Sequence, residues 1–268
     1  MNPGDTLRLI LSILSLSLII SSAESFTGIK IYKTAGWLSW DRLKYDRPMF
    51  RHRMVAPLLN WLFPHPKILI LITSRLICSV WLLVAVLVNW NYTALIISLT
   101  IINILFSLRN AFSNNGADQL TNVILIAAVV ASISAGNEAI VVYSLFFIAL
   151  QTSIAYFTSG INKVNRNWLN GVYLKDVLST AMFGNPMVLR KFRKMRHAFW
   201  SCSLLMILGE LLLAFCMFFP STMSVYILAG GFFFHLTVAY IMGFNTFLFT
   251  FLSTYPAIYF VSAHGIRF

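Results

Sequence analysis

Charge is scarce in this sequence: Asp, Glu, Lys and Arg together make up 10% of 268 residues, and only eight of them are acidic. A soluble domain carries roughly 25% charged residues, so a soluble enzyme, a solvated tail and a coiled coil are all excluded. Cysteine is scarcer still. Cys78, Cys202 and Cys216 are an odd number, sit inside apolar runs and form no short metal-type spacing, which leaves no disulfide scaffold, zinc site or redox CxxC. Also missing are a Walker loop, a GxGxxG after a strand, an HExxH and a GxSxG. No internal repeat, low-complexity linker or domain boundary interrupts the chain.

What is present in quantity is apolar: 59% of residues, with a mean hydropathy of +0.79. A bilayer-spanning helix takes about 20 mostly apolar residues, so eight such helices would use roughly 160 residues, about 60% of this length. The expected fold is all-α, a polytopic transmembrane helical bundle of about eight spans. They fall at 7–22, 68–88, 92–108, 120–136, 139–162, 197–219, 223–242 and 244–262. Merging the last two would give seven, but Gly243 and Asn245 predict a turn between them. The first span is the weakest, broken by Ser12, Ser15, Ser17, Ser21 and Ser22. Ser21-Ser22-Ala23 resembles a cleavage site, yet Asp5 offsets Arg8 and no cationic leader region results, so an uncleaved anchor is expected. The chain reads as one integral membrane domain over 1–268.

The net charge of +12 would suit nucleic acid, but its distribution points elsewhere. Eight of 20 basic residues lie between the first two apolar runs: Lys30, Lys33, Arg42, Lys44, Arg47, Arg51, Arg53 and Lys67. Eight more are Lys163, Arg166, Lys175, Arg190, Lys191, Arg193, Lys194 and Arg196. Basic residues loaded into alternate loops are the signature of the positive-inside bias. It places loops 23–67, 109–119 and 163–196 in the cytoplasm, makes the bilayer the partner of the chain and leaves no role for nucleic acid. Segments 49–64 and 167–189 mix Trp61, Phe63, Trp168, Tyr173, Leu174, Met182 and Phe183 with polar residues, as interfacial helices do. The run RKFRKMR at 190–196 either holds anionic lipid or simply anchors the next span.

Ionisable residues at membrane depth carry the chemical information, because a charge there costs roughly 2.5–3.5 kcal/mol even on the forgiving insertion scale. Glu210, mid-span in LMILGELLLAF, either relays a proton or is a neutral carboxyl bonded to a neighbouring helix. His235, in GGFFFHLTVAY, either exchanges protons or makes one interhelical bond; Gly230 and Gly231 before it allow a close approach. Arg75 is two turns into its span, from which its stem can snorkel toward Lys67. Lys163, at the end of the 139–162 run, is either topogenic or, if partly desolvated, a base or nucleophile.

Taken in order, several segments resemble one family. AYFTSGINKVNRNWLNG is similar to the segment of vitamin K-dependent gamma-carboxylases that leads from an aromatic helix through Gly and Lys to Trp and Gly. GELLLAFCMFF and GGFFFHLTVAYIMGFNTFLFTFLSTYPAIYF resemble the same family's acidic, Phe-His and final spans, and FSNNGADQLTNVILIAAVV its Asn-Asn turn. The family-like region covers 110–262, leaving 1–109 as N-terminal spans and a basic loop. The resemblance points to the horizontally transferred transmembrane domain superfamily, which holds those carboxylases and the bacterial sporulation-delaying protein B group. It implies catalytic roles for Lys163, as the base that deprotonates a reduced quinone, and for His235 and Glu210, with Asn114, Asn115, Asp118 and Trp168 as binding residues; Arg75, upstream of that region, is a binding candidate from its depth in the span alone, as an anchor or as a buried partner of Glu210. Two departures favour the short bacterial members. Gly116 stands where the carboxylases carry a histidine after the Asn-Asn pair, and six residues follow the last span, so a propeptide-binding domain is expected to be missing. The implied function is an inner-membrane protein assisting maturation or export of a secreted antimicrobial peptide, with a small accessory protein as partner. A quinone-dependent carboxylase and a non-enzymatic immunity or structural protein remain open alternatives.

Overall fold

The computed structural model describes residues 2–45, 48–111, 113–134, 137–180, 184–195 and 197–265. Arg47, Met182, Phe183 and Arg196 lie outside the described residues. The described residues form thirteen α-helices: α1 (Pro3–Thr27), α2 (Trp40–Leu43), α3 (Ala56–Leu62), α4 (Ile68–Leu87), α5 (Thr93–Arg109), α6 (Gly116–Ile133), α7 (Glu138–Asn162), α8 (Arg166–Leu169), α9 (Val172–Ser179), α10 (Pro186–Arg193), α11 (Ala198–Ala214), α12 (Ser221–Met242) and α13 (Asn245–His264). No strand occurs among the described residues. Among the described residues six helices, α1, α4, α6, α7, α12 and α13, are long and apolar enough to cross a bilayer, and α10 with α11 forms a bent seventh candidate. All eight predicted segments are helices; α5 and α11, at 17 residues each, are the shorter ones. The protein is a multi-pass integral membrane protein.

Local chemistry sets several helix ends. Asn2 caps α1 through Asp5 N–H at 2.7 Å, with Pro3 in the first turn, and Asp5 reaches Arg8 at 3.6 Å. Asn115 and Asp118 form a reciprocal capping box that starts α6. Gly243, at φ 75°, closes α12 in the left-handed conformation that only glycine adopts freely, so α12 and α13 are separate antiparallel spans. The basic stretches hold short helices, α2 and α3 in one and α8, α9 and α10 in the other.

The serines that weaken α1 as a sequence signal have definite uses. Ser15 and Ser22 bond the carbonyls of Leu11 and Leu18 within the helix. Ser17 meets Thr250 of α13 at 2.8 Å, and Thr250 meets Thr121 of α6 at 3.2 Å, so three hydroxyls tie three spans together in the apolar core. Hydrogen bonds between spans are individually modest. Thr250→Val, which keeps the shape and removes both bonds, is expected to lower stability by about 1 kcal/mol, read as the thermal unfolding midpoint in detergent. An unchanged midpoint would count against a role for the hydroxyl junction.

The loops loaded with basic residues gather at one end of the bundle. Arg109, closing α5, bonds the carbonyls of Phe63 (3.1 Å) and Leu38 in the first basic stretch. Asn185 of the last basic stretch reaches the Ile241 carbonyl at the end of α12, and Glu24 at the foot of α1 bonds Asn245.

Candidate functional site

Three spans bring the acid–base groups together. Gly160 lets α7 and α11 approach closely: a Cβ there would lie 2.9 Å from Leu211 Cδ2. One turn on, Lys163 caps α7 and extends Nζ to both carboxylate oxygens of Glu210, at 2.8 and 2.7 Å. The same Nζ donates to Ser159 Oγ at 2.5 Å and lies 5.7 Å from the centre of the Trp168 ring. The pair is largely enclosed, with side-chain exposures of 15% for Lys163 and 8% for Glu210.

Glu210 lines a chamber of about 500 Å³ between α6, α7, α11, α12 and α13. Its polar wall includes Gln119, Gln151, Ser159 and Asn162, and its aromatic wall Phe247 and Phe251. His235 and Tyr156 line it as well. His235 Nε2 is 2.6 Å from the Tyr156 hydroxyl, which is 3.4 Å from the Tyr255 hydroxyl, and the imidazole stacks on Phe251. His235 Nδ1 is buried without a hydrogen-bond partner among the described residues. One half-open cavity thus meets a carboxylate paired with an ammonium, an imidazole with one ring nitrogen left over, and a phenol that can pass a proton in either direction.

The residues singled out in the sequence divide into two groups. Lys163, Glu210, His235 and Trp168 converge here. Asn115 and Asp118 act on the backbone of α6, whose first residue, Gly116, lines the chamber, while Asn114 bonds the Ser107 carbonyl at 2.8 Å. Arg75 is elsewhere, and snorkelling is corrected: it is 2% exposed, bonded to Ser21 (3.1 Å) and held over the Phe106 ring at 4.4 Å. Helices α1 and α5 close over its stem before it reaches the interface. Its Nε and Nη1 have no hydrogen-bond partner among the described residues, and it does not meet Glu210, which pairs with Lys163 instead. Sequence reasoning missed Ser159, Tyr156 and Tyr255. A tyrosine in mid-span whose hydroxyl must be satisfied was the available signal.

Residues 120–263, more than half of the chain, match the family model described as the HTTM domain. No curated protein and no solved structure matches.

Proposed function

The chain belongs to the HTTM domain family, and from that premise we propose that it is a multi-pass protein of a bacterial inner membrane whose chamber carries out proton transfer during maturation or export of a secreted antimicrobial peptide. The observation that carries this reading is the Lys163–Glu210 pair at the wall of a chamber that also holds His235. In this proposal it acts as the sporulation-delaying protein B group does by resemblance, with a small accessory protein as partner.

The geometry refines the roles the resemblance implies. An ammonium bonded to both oxygens of a carboxylate is already protonated, and it is a poor base in that state. Glu210 is the member of the pair that lines the chamber and so the one a substrate proton would reach, while Lys163 holds the carboxylate from behind. Glu210 is therefore the proton acceptor in this proposal, Lys163 the electrostatic stabiliser, and Trp168 and Ser159 the groups that hold the ammonium in place. A reduced quinone fits the residues present: His235 and Tyr156 would hold its hydroxyl, Phe247 and Phe251 would cover its ring, and when bound it would supply reducing equivalents.

The test compares secreted peptides by mass spectrometry from cells carrying wild-type protein or Glu210→Gln at matched membrane levels. Glutamine keeps size and hydrogen bonding but accepts no proton, so the processed peptide is expected to fall on the order of 100-fold or more. Undiminished processed peptide would remove the carboxylate from the mechanism and leave the packing or immunity reading. The carboxylase reading is separated by supplying labelled bicarbonate with reduced menaquinone: label in the peptide would establish it. Against that reading, Gly116 lines the chamber, and among the described residues nothing lies within 4 Å of where its Cβ would stand next to the Asn-Asn pair.

A further inference from the structure

A second hollow, on the far side of α11 and α12, has a different chemistry. It encloses about 670 Å³, and its lining is almost wholly apolar. Its floor is bare of described atoms: Gly209 of α11 and Gly230 of α12 both line it, and among the described residues a Cβ on either would meet nothing within 4 Å. Leu205, Leu212 and Phe233 line the same space and are exposed, which in a membrane protein means open to the acyl layer. Packing alone would favour side chains at those two glycines, since helix interiors disfavour glycine by about 1 kcal/mol against alanine.

Helix α10 roofs one end. Asn185 caps it, and Val188 and Phe192, one turn apart, turn into the groove. Around the helix from them, Arg190, Lys191 and Lys194 surround a smaller hollow of about 240 Å³ with Met187. None of the three makes an ion pair among the described residues. Lys191 is a single step round the helix from the groove-facing edge, so positive charge borders the mouth of an apolar cleft at the end where the basic loops gather. A neutral lipid uses only the cleft; an anionic one uses both features.

We propose that this groove is a site for one anionic glycerophospholipid, an acyl chain lying over Gly209 and Gly230 and the phosphate drawn to Arg190, Lys191 and Lys194. The lipid bridges α11, which carries Glu210, and α12, which carries His235, along a seam that protein side chains leave open. This goes beyond the chemistry of the chamber and does not rest on it.

The experiment uses the purified full chain in detergent, titrated with phosphatidylglycerol, phosphatidylcholine or inorganic phosphate alone. Bound lipid is counted by native mass spectrometry, and the thermal midpoint is followed in parallel. Phosphatidylglycerol is expected to remain bound and raise the midpoint, with phosphatidylcholine and inorganic phosphate doing neither. Arg190→Gln/Lys191→Gln/Lys194→Gln is expected to weaken phosphatidylglycerol on the order of 100-fold, from about one surface-type attraction per charge. Gly230→Leu, which fills the floor and favours helix, is expected to displace the lipid from a folded protein, so the proposal stays testable even if the triple variant misfolds. Equal binding of the two phospholipids, retention of phosphatidylglycerol by Gly230→Leu, or the full midpoint shift with inorganic phosphate alone would each overturn it.

Discussion

Lys163→Ala is expected to abolish the processed peptide and, in the same step, to destabilise the protein by about 3 kcal/mol. The two losses have one cause. Glu210 is enclosed by α7 and α11, and Lys163 is its only ion-pair partner among the described residues. Removing the ammonium leaves a carboxylate that must stay charged without a counter-ion or take up a proton, and breaking such a pair from one side is far more costly than removing it whole. Lys163→Met/Glu210→Leu removes both charges and keeps the volume. Its unfolding midpoint is expected to return to within about 1 kcal/mol of wild type, while the processed peptide stays absent. That divergence is what a functional pair predicts. If the double variant were as unstable as Lys163→Ala, or if it kept activity, the pair would be a packing device and nothing more.

A comparable loss of stability is expected at Arg109, which holds the first basic stretch against the end of α5. This side chain is 1% exposed and fans out between Phe63 O, Leu38 O and the rings of Tyr32 (5.4 Å) and Trp40 (5.7 Å). Burial raises the Tyr32 hydroxyl above its usual pKa, so it remains a neutral partner, bonded to Asn110 at 3.2 Å. A hydrogen bond to a charged group contributes about 1.5–3 kcal/mol, so Arg109→Ala, which ends two of them and orphans two carbonyls, is expected to cost about 3–5 kcal/mol. The stretch 29–63 should then become sensitive to limited proteolysis while α6 to α13 stay protected. Arg109→Lys is expected to rescue little, because an ammonium cannot fork between two carbonyls and lie against two rings. Full protection in the lysine variant would show that charge alone holds this stretch.

Much of the framework was legible because bilayer insertion is decided locally. Each apolar run had to be a helix to satisfy its own backbone, and Gly243 marked a turn; the Asn115–Asp118 capping box, which starts α6 four residues before the expected span, went unread. Depth was harder. Arg75 has the length to snorkel, but whether it does depends on which helices cover it, and α1 and α5 are neighbours that no local pattern announces. The same holds for the site: Lys163, Glu210 and His235 were each visible as costly residues, yet their separation by tens of positions left open whether they meet. Tyr156 and Tyr255 went unread because an aromatic residue in a span has so many ordinary uses. Glycines were ambiguous for a related reason. Gly160 is a contact and Gly230 is an opening, and only the neighbouring helix distinguishes them.

The hydroxyl junction of Ser17, Thr121 and Thr250 joins residues up to 233 positions apart in the chain. A ribosome delivers them in order, so Ser17, unlike Ser15 and Ser22, which bond carbonyls of their own helix, cannot meet its partners on another span until α13 has been synthesised and inserted. The interval before this seam closes is when the nascent bundle shows membrane quality-control proteases a hydroxyl turned toward acyl chains. Slowing translation ahead of Asn245 should lengthen that interval and lower the yield of intact protein, with no residue of the finished structure changed.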